Sequence, residues 1–221
     1  MNVVDQSLTL ARRTQSAGEE LANSISHAIG LVGAIVGTPL LLLAAFRHAS
    51  ALFLVGTIIF TVTMVLVYFG STLYHAWPQT RMKSLLQVVD HSAIFLLIAG
   101  TYTPFALGPL RGAGGLTMLG IVWTLALFGV VMKATRGVLR HRKLAMTLYL
   151  GTGWFGVIFI RPLALTIPWT AVLWLVIGGI AYTAGTLFFA NERLRYAHFV
   201  WHLFVLAGTS CHFAAVLICA T

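Results

Sequence analysis

Seven apolar runs, separated by short polar breaks, occupy roughly 24–46, 52–75, 85–107, 115–134, 144–160, 169–190 and 198–220 of this chain. A helix needs about 20 consecutive apolar residues to cross the ~30 Å hydrocarbon core of a bilayer. The breaks are rich in charge, glycine or proline, as in WPQTRMK, GPLRGAGG and RPLALTIP. The fifth run is the weakest, because Arg161 and Pro162 cut it short. Ahead of the first run, Met1–Glu20 carries Asp5, Arg12, Arg13, Glu19 and Glu20. It reads as a partly disordered tail with a short interfacial helix. No cleavable signal peptide is expected, since this start is polar and the first run is already long enough to span. The pattern predicts an all-α membrane protein, a seven-transmembrane-helix bundle over 23–221 behind a polar tail at 1–22. No internal repeat or low-complexity segment interrupts it.

Composition turns that pattern into a requirement. Of 221 residues, 59% are apolar and 9% charged, whereas a soluble domain carries about 25% charged residues. A chain so short of charge cannot cover its own surface in water. Seven helices with their connections use nearly the whole length, which leaves no room for a second soluble domain. The net charge of +9 would elsewhere suggest nucleic acid. Here the basic residues fall in short breaks, where they set topology and meet lipid headgroups, so no nucleic-acid partner is expected.

The distribution of those charges orients the bundle. With the N-terminus in the cytoplasm, the inside segments hold Arg12, Arg13, Arg81, Lys83, Lys133, Arg136, Arg140, Arg142, Lys143, Arg193 and Arg195. The outside loops hold only Arg47, Arg111 and Arg161. Eleven against three is a strong positive-inside bias, so the C-terminus is expected outside a cell (inner) membrane. Cys211 and Cys219, eight apart in the last run, read as buried small apolar residues. Gly33 and Gly37 form a small-xxx-small pair that predicts close helix packing.

Ionisable groups inside membrane helices are costly and usually functional. The candidates are His27, His75, Asp90, His91, His198, His202 and His212. The orientation places His75 at the cytoplasmic end of the second helix and Asp90 about two turns into the third. His198 and His202 occupy the first two turns of the seventh, and His27 opens the first at the same level. His198 and His202, spaced i, i+4, share one helical face and suit two ligands of one metal. With His75 they make three nitrogen donors, the ligand number of a catalytic zinc whose fourth position holds water. Asp90, the one acidic residue inside a predicted span, then has a cationic partner. Ser71, one turn above His75, suits a supporting hydrogen bond.

The same histidines also fit headgroup-level residues, a proton relay or haem ligands. Haem is disfavoured, because its axial ligands usually stand on opposite helices. His91 faces about 100° from Asp90 and is left out of the site, while His212, nearly three turns beyond His202, reads as a hydrogen-bonded core residue. His48 and His141 read as solvated loop residues.

The segments EELANSISHAIG at 19–30, STLYH at 71–75, DHSAIFLLIAGTYTP at 90–104 and HFVWH at 198–202 resemble the hemolysin III family. That family is the bacterial branch of the progestin and adipoQ receptor group, related more distantly to adiponectin receptors and alkaline ceramidases. The resemblance runs from Glu19 to His212. It implies seven helices, a cytoplasmic N-terminus and Zn²⁺ near the cytoplasmic face. It also implies a site made of Ser71, His75, Asp90, His198 and His202. Glu20, Asn23 and His27 match the family's N-terminal motif, whose role the resemblance leaves open; their i, i+3, i+7 spacing suits either the site mouth or helix packing.

Two functions follow as expectations. In the first, the chain is a zinc hydrolase in which Asp90 orients the attacking water and takes its proton. Its substrate is a lipid amide or ester from the inner leaflet. In the second, zinc is a structural clamp in a non-enzymatic membrane-homeostasis or hemolysin-type protein. A pore is disfavoured, because no continuous hydrophilic stripe is available to line one. Membrane lipids are the expected partners in either case.

Overall fold

The computed structural model describes residues 14–136, 142–191 and 193–221. The expected helix in the N-terminal tail, Arg12, Arg13, Arg140 and His141 lie outside the described residues. Seven helical spans cross the bundle: α1 (Ala17–His48), α2 (Ala51–Ala76), α3 (Arg81–Leu107), α4 (Ala113–Arg136), α5 (Arg142–Trp154), α6 (Trp169–Ala190) and α7 (Ala197–Ala220). A 3₁₀ segment (Phe155–Phe159) and a one-turn helix (Ile160–Ala164) extend α5. All seven spans are long and apolar enough to cross a membrane. Among the described residues there is no strand. The protein is a multi-pass helical membrane protein.

The ends of the helices follow from local chemistry. α1 begins at Ala17, seven residues before its apolar run, because Ser16 and Glu19 form a capping box. The Glu19 amide donates to Ser16 Oγ at 3.3 Å, and the Ser16 amide donates to Glu19 Oε2 at 2.9 Å. This reciprocal pair satisfies amides that a helix start leaves bare. The extension brings Glu19 and Glu20 inside the first span, so Asp90 is not the only acidic residue within a helix. His48 closes α1 as an exposed residue.

The fifth span breaks before Arg161 and Pro162. Pro162 has no amide to donate and crowds the carbonyl four residues back, and the preceding turn tightens to 3₁₀. Tyr102 of α3 repairs the break: its hydroxyl lies 2.6 Å from Gly153 O and accepts from the Gly156 amide at 2.9 Å. Backbone groups freed at membrane depth need such partners, because lipid offers none.

In space, α1 packs between α2 and α7, α3 between α2 and α4, and α6 against α7, with α5 loosely closing the ring. The main core lies inside it and includes Leu41, Phe60, Val67, Trp201 and Val216. A smaller cluster of Phe95, Val122, Ala126 and Tyr149 sits under α3, α4 and α5. Large apolar side chains such as Leu187, 71% exposed, face outward, the inverse of a water-soluble fold.

Glycine lets two helices meet closely. A Cβ on Gly56 of α2 would lie 2.5 Å from the Pro104 Cα of α3. The Gly33–Gly37 pair packs differently from expectation. Gly37 meets the Phe213 ring of α7, whereas Gly33 has nothing within 4 Å of an added Cβ. The packing glycines of α1 are Gly30, against Tyr68 and Leu206, and Gly37, seven residues apart on one face. Gly56→Ala should therefore separate α2 from α3 and destabilise the protein by about 1–3 kcal/mol. Thermal unfolding in detergent measures it, with Gly33→Ala near neutral.

Candidate metal centre

His75, His198 and His202 converge at the end of the bundle where α1 begins. One nitrogen from each ring lies within 4.8 Å of the other two, a separation at which a single ion can be held. α2 supplies His75 from its last turn, and α7 supplies both other rings from its first two turns. The ring centroids of His75 lie 5.0 Å from those of His198 and of His202. His75 and His202 are buried and His198 half-buried.

Groups on α1 decide which nitrogen each buried ring presents. The Nδ1 of His202 is 3.1 Å from the Asn23 carbonyl, which can only accept, so this nitrogen carries the proton. Ser26 Oγ, which donates to the same carbonyl at 2.8 Å, lies 3.1 Å from Nδ1 as a second acceptor. The Nδ1 of His75 lies 2.7 Å from Glu20 Oε2. In the neutral form of each ring the nitrogen left bare is then Nε2. That of His75 is buried and has no hydrogen-bond partner among the described residues. A buried acceptor left in this state is costly, and a cation among three imidazoles satisfies it. The donor set could hold a divalent metal ion that favours nitrogen.

The other expected site residues gather around this cluster without joining its ligand set. Asp90 is buried on α3, its Oδ2 3.9 Å from His91 Nε2. Ser71 is fully buried, one turn before His75 on α2, and its Oγ has no hydrogen-bond partner among the described residues. His27 is also buried, and its ring stacks on His202 with centroids 3.6 Å apart and planes 10° from parallel. Both His27 nitrogens lack hydrogen-bond partners among the described residues. Asn23, fully buried, donates from Nδ2 to Gln15 at 2.8 Å besides lending its carbonyl to His202. Glu20, Asn23 and His27 thus back the ligand rings from behind and do not simply rim an opening. His212 lies apart, its Nε2 3.2 Å from Leu175 O, as a core residue held by the backbone.

A polar cavity of about 430 Å³ opens beside the cluster, bordered by Glu20, Asn23, His75, His91, Tyr149 and His198. An apolar cleft of about 160 Å³ runs deeper between α3, the fifth span and α6, and Tyr149 borders both.

Five further residues were not singled out as site groups from the sequence. Lys83, read as a loop cation, is buried, and its Nζ donates to Glu20 Oε1 at 2.9 Å and to Trp77 O at 3.1 Å. Lys133 is also buried, on the wall of the polar cavity. Glu19 Oε1 accepts from the Tyr196 amide at 2.8 Å. Tyr196 caps α7 with φ 58°, a left-handed conformation unusual for a non-glycine residue. That bond anchors α7 two residues before His198. Ser26 could have been found, since positions 19, 23, 26 and 30 form one polar and small stripe on α1. No local pattern points to Lys83.

The fold and cluster define a class: a seven-helix membrane protein with a three-histidine site, able to hold a metal, buried near one membrane face. The model described as Haemolysin-III related matches residues 15–213, and the chain belongs to that family. It is 43% identical over 199 residues to the hemolysin-3 homolog of Bacillus subtilis (strain 168), covering 90% of this chain and 93% of the relative. To the hemolysin-3 of Bacillus cereus it is 41% identical over 208 residues, 94% of each chain. A more distant likeness, 26% over 212 residues and 90% of this chain, reaches the human monocyte to macrophage differentiation factor and 83% of its length.

Glu19→Ala should free the Tyr196 amide and one side of the cap. The expected loss is about 1–3 kcal/mol, read by thermal unfolding. Ser16→Ala, which removes the cap alone, should cost about 1 kcal/mol.

Proposed function

We propose that this protein is a zinc-dependent intramembrane hydrolase of the cell membrane, acting on a lipid amide or ester from the cytoplasmic leaflet. The observation that carries this reading is the convergence of three histidines beside a buried carboxylate. Three protein ligands with an open position mark catalytic zinc sites, whereas structural sites are closed by four. His75, His198 and His202 would hold the ion. Zinc supplies Lewis acidity at such a site: it brings the pKa of water toward ~7 and polarises a carbonyl.

Asp90 is the group of this chain placed to manage the proton. Its Oδ2 lies 3.9 Å from His91 Nε2, beyond hydrogen-bond distance, and the carboxylate would take a water beside the histidines. It would accept the proton as water attacks and return it to the departing amine or alcohol. Ser71, whose buried Oγ has no partner among the described residues, would be free to support the carboxylate or the water. The polar cavity gives water and a headgroup a route to the site. The apolar cleft, sharing Tyr149 with it, offers a bed for a hydrocarbon chain.

A second reading keeps the metal without turnover, in a membrane-homeostasis or hemolysin-type protein. It draws on the geometry of the ligands, which join the end of α2 to the start of α7 and would clamp them.

Asp90→Ala separates the two. In the hydrolase, this variant should lose about 10²–10⁴-fold in turnover of fluorescent lipid amides and esters, while metal analysis still finds one zinc per chain. Zinc-loaded wild-type protein that turns over neither class of lipid, with Asp90→Ala unfolding at lower temperature, would establish the clamp instead.

A further inference from the structure

We infer that Glu20 is the positioning carboxylate of the metal centre: it fixes the tautomer and direction of His75, and Lys83 holds it in place. The inference rests on the metal-binding half of the function proposed above and gives the N-terminal motif a role.

The geometry has three parts. Glu20 lies in the first turn of α1 and reaches two other helices at once. Its Oε2 is 2.7 Å from His75 Nδ1 on α2, and its Oε1 is 2.9 Å from Lys83 Nζ on α3. Lys83 is buried, anchored on Trp77 O at 3.1 Å and set 5.1 Å from the centroid of the Tyr74 ring. A desolvated ammonium requires an ionised partner, because an unpaired buried charge is strongly destabilising. Glu20 is therefore held as a carboxylate, which has no proton to donate.

The consequence falls on His75. A nitrogen 2.7 Å from an oxygen that can only accept must supply the hydrogen itself, so the ring is the Nδ1–H tautomer. In the neutral ring Nε2 is then the lone-pair nitrogen, and it is buried without a hydrogen-bond partner among the described residues. The carboxylate also polarises the imidazole and strengthens its donor nitrogen, as carboxylates behind metal-bound histidines do. His202 is oriented by neutral groups, Asn23 O and Ser26 Oγ. Glu20 is thus the charged support among those two buried ligands, and α1 organises the site while contributing no ligand to it.

The test is the zinc affinity of purified full-length protein, read by competition with a chromophoric chelator. Thermal unfolding of the metal-free form serves as the control for folding. Glu20→Gln keeps an acceptor but removes the charge, and should weaken zinc about 10-fold. Glu20→Leu removes both and should weaken it about 100-fold. Glu20→Gln combined with Lys83→Met leaves no unpaired ammonium and should keep the 10-fold loss. Folded variants that bind zinc as tightly as wild type, with only a lower unfolding temperature, would overturn the assignment and leave the metal centre standing. Wild-type protein that binds no zinc would overturn both. A measurement needing no variant is the ¹⁵N spectrum of the His75 ring in metal-free wild-type protein. The Nδ1–H form is expected, and Nε2–H would overturn the inference even where the variants fail to fold.

Discussion

Hydrocarbon solvates neither charge nor hydrogen bond, so each polar group that this chain carries into the membrane must be met by another part of the chain. That constraint explains where its polar residues are. Glu20, His75, Lys83, Asp90 and His202 come from four helices and lie together at one end of the bundle. Each would be expensive alone. Together they form pairs of ordinary length, such as Glu20 with Lys83 at 2.9 Å and His202 with the Asn23 carbonyl at 3.1 Å. Among the groups the pairing leaves over is a buried nitrogen on His75 beside two other imidazoles, a combination that a metal ion could complete.

The first helix carries more of this arrangement than its apolar stretch suggests. Its capping box starts it at Ala17, outside the apolar run, and so places Glu19 and Glu20 against neighbouring helices. Glu19 holds the Tyr196 amide at the entry to α7, and Glu20 holds His75 and Lys83. Farther along the same face, Asn23 and Ser26 orient His202, and His27 stacks on its ring. α1 therefore fixes the direction of rings on α2 and α7. A metal held there would join those two helices directly, which is why catalysis and clamping share one set of ligands.

The rest of the bundle reconciles close packing with local irregularity. Gly56 admits the Pro104 backbone between α2 and α3, and Gly30 admits Tyr68 and Leu206. The fifth span, weakened by Pro162, passes through a 3₁₀ turn whose freed groups are taken up by the Tyr102 hydroxyl. This loosely held span borders the apolar cleft, and through Tyr149 it meets the polar cavity beside the histidines. The least regular part of the described fold thus lines the cleft that meets the cavity beside the cluster.

The sequence by itself determined the seven spans, because length and apolarity are local properties that a bilayer reads directly. The alternation of those spans also brings His75, Asp90, His198 and His202 to one end of the bundle, since successive spans run in opposite directions and these residues lie near the end of the second and the starts of the third and seventh. Tertiary structure decided what no spacing encodes. It decided that Lys83 is a buried partner and not a headgroup anchor, that Glu20 faces His75, that His27 stacks on His202, and that Gly33 packs against nothing. Each of these depends on the rotation of one helix against another, a quantity set by side-chain packing across the bundle and not by the composition of either helix.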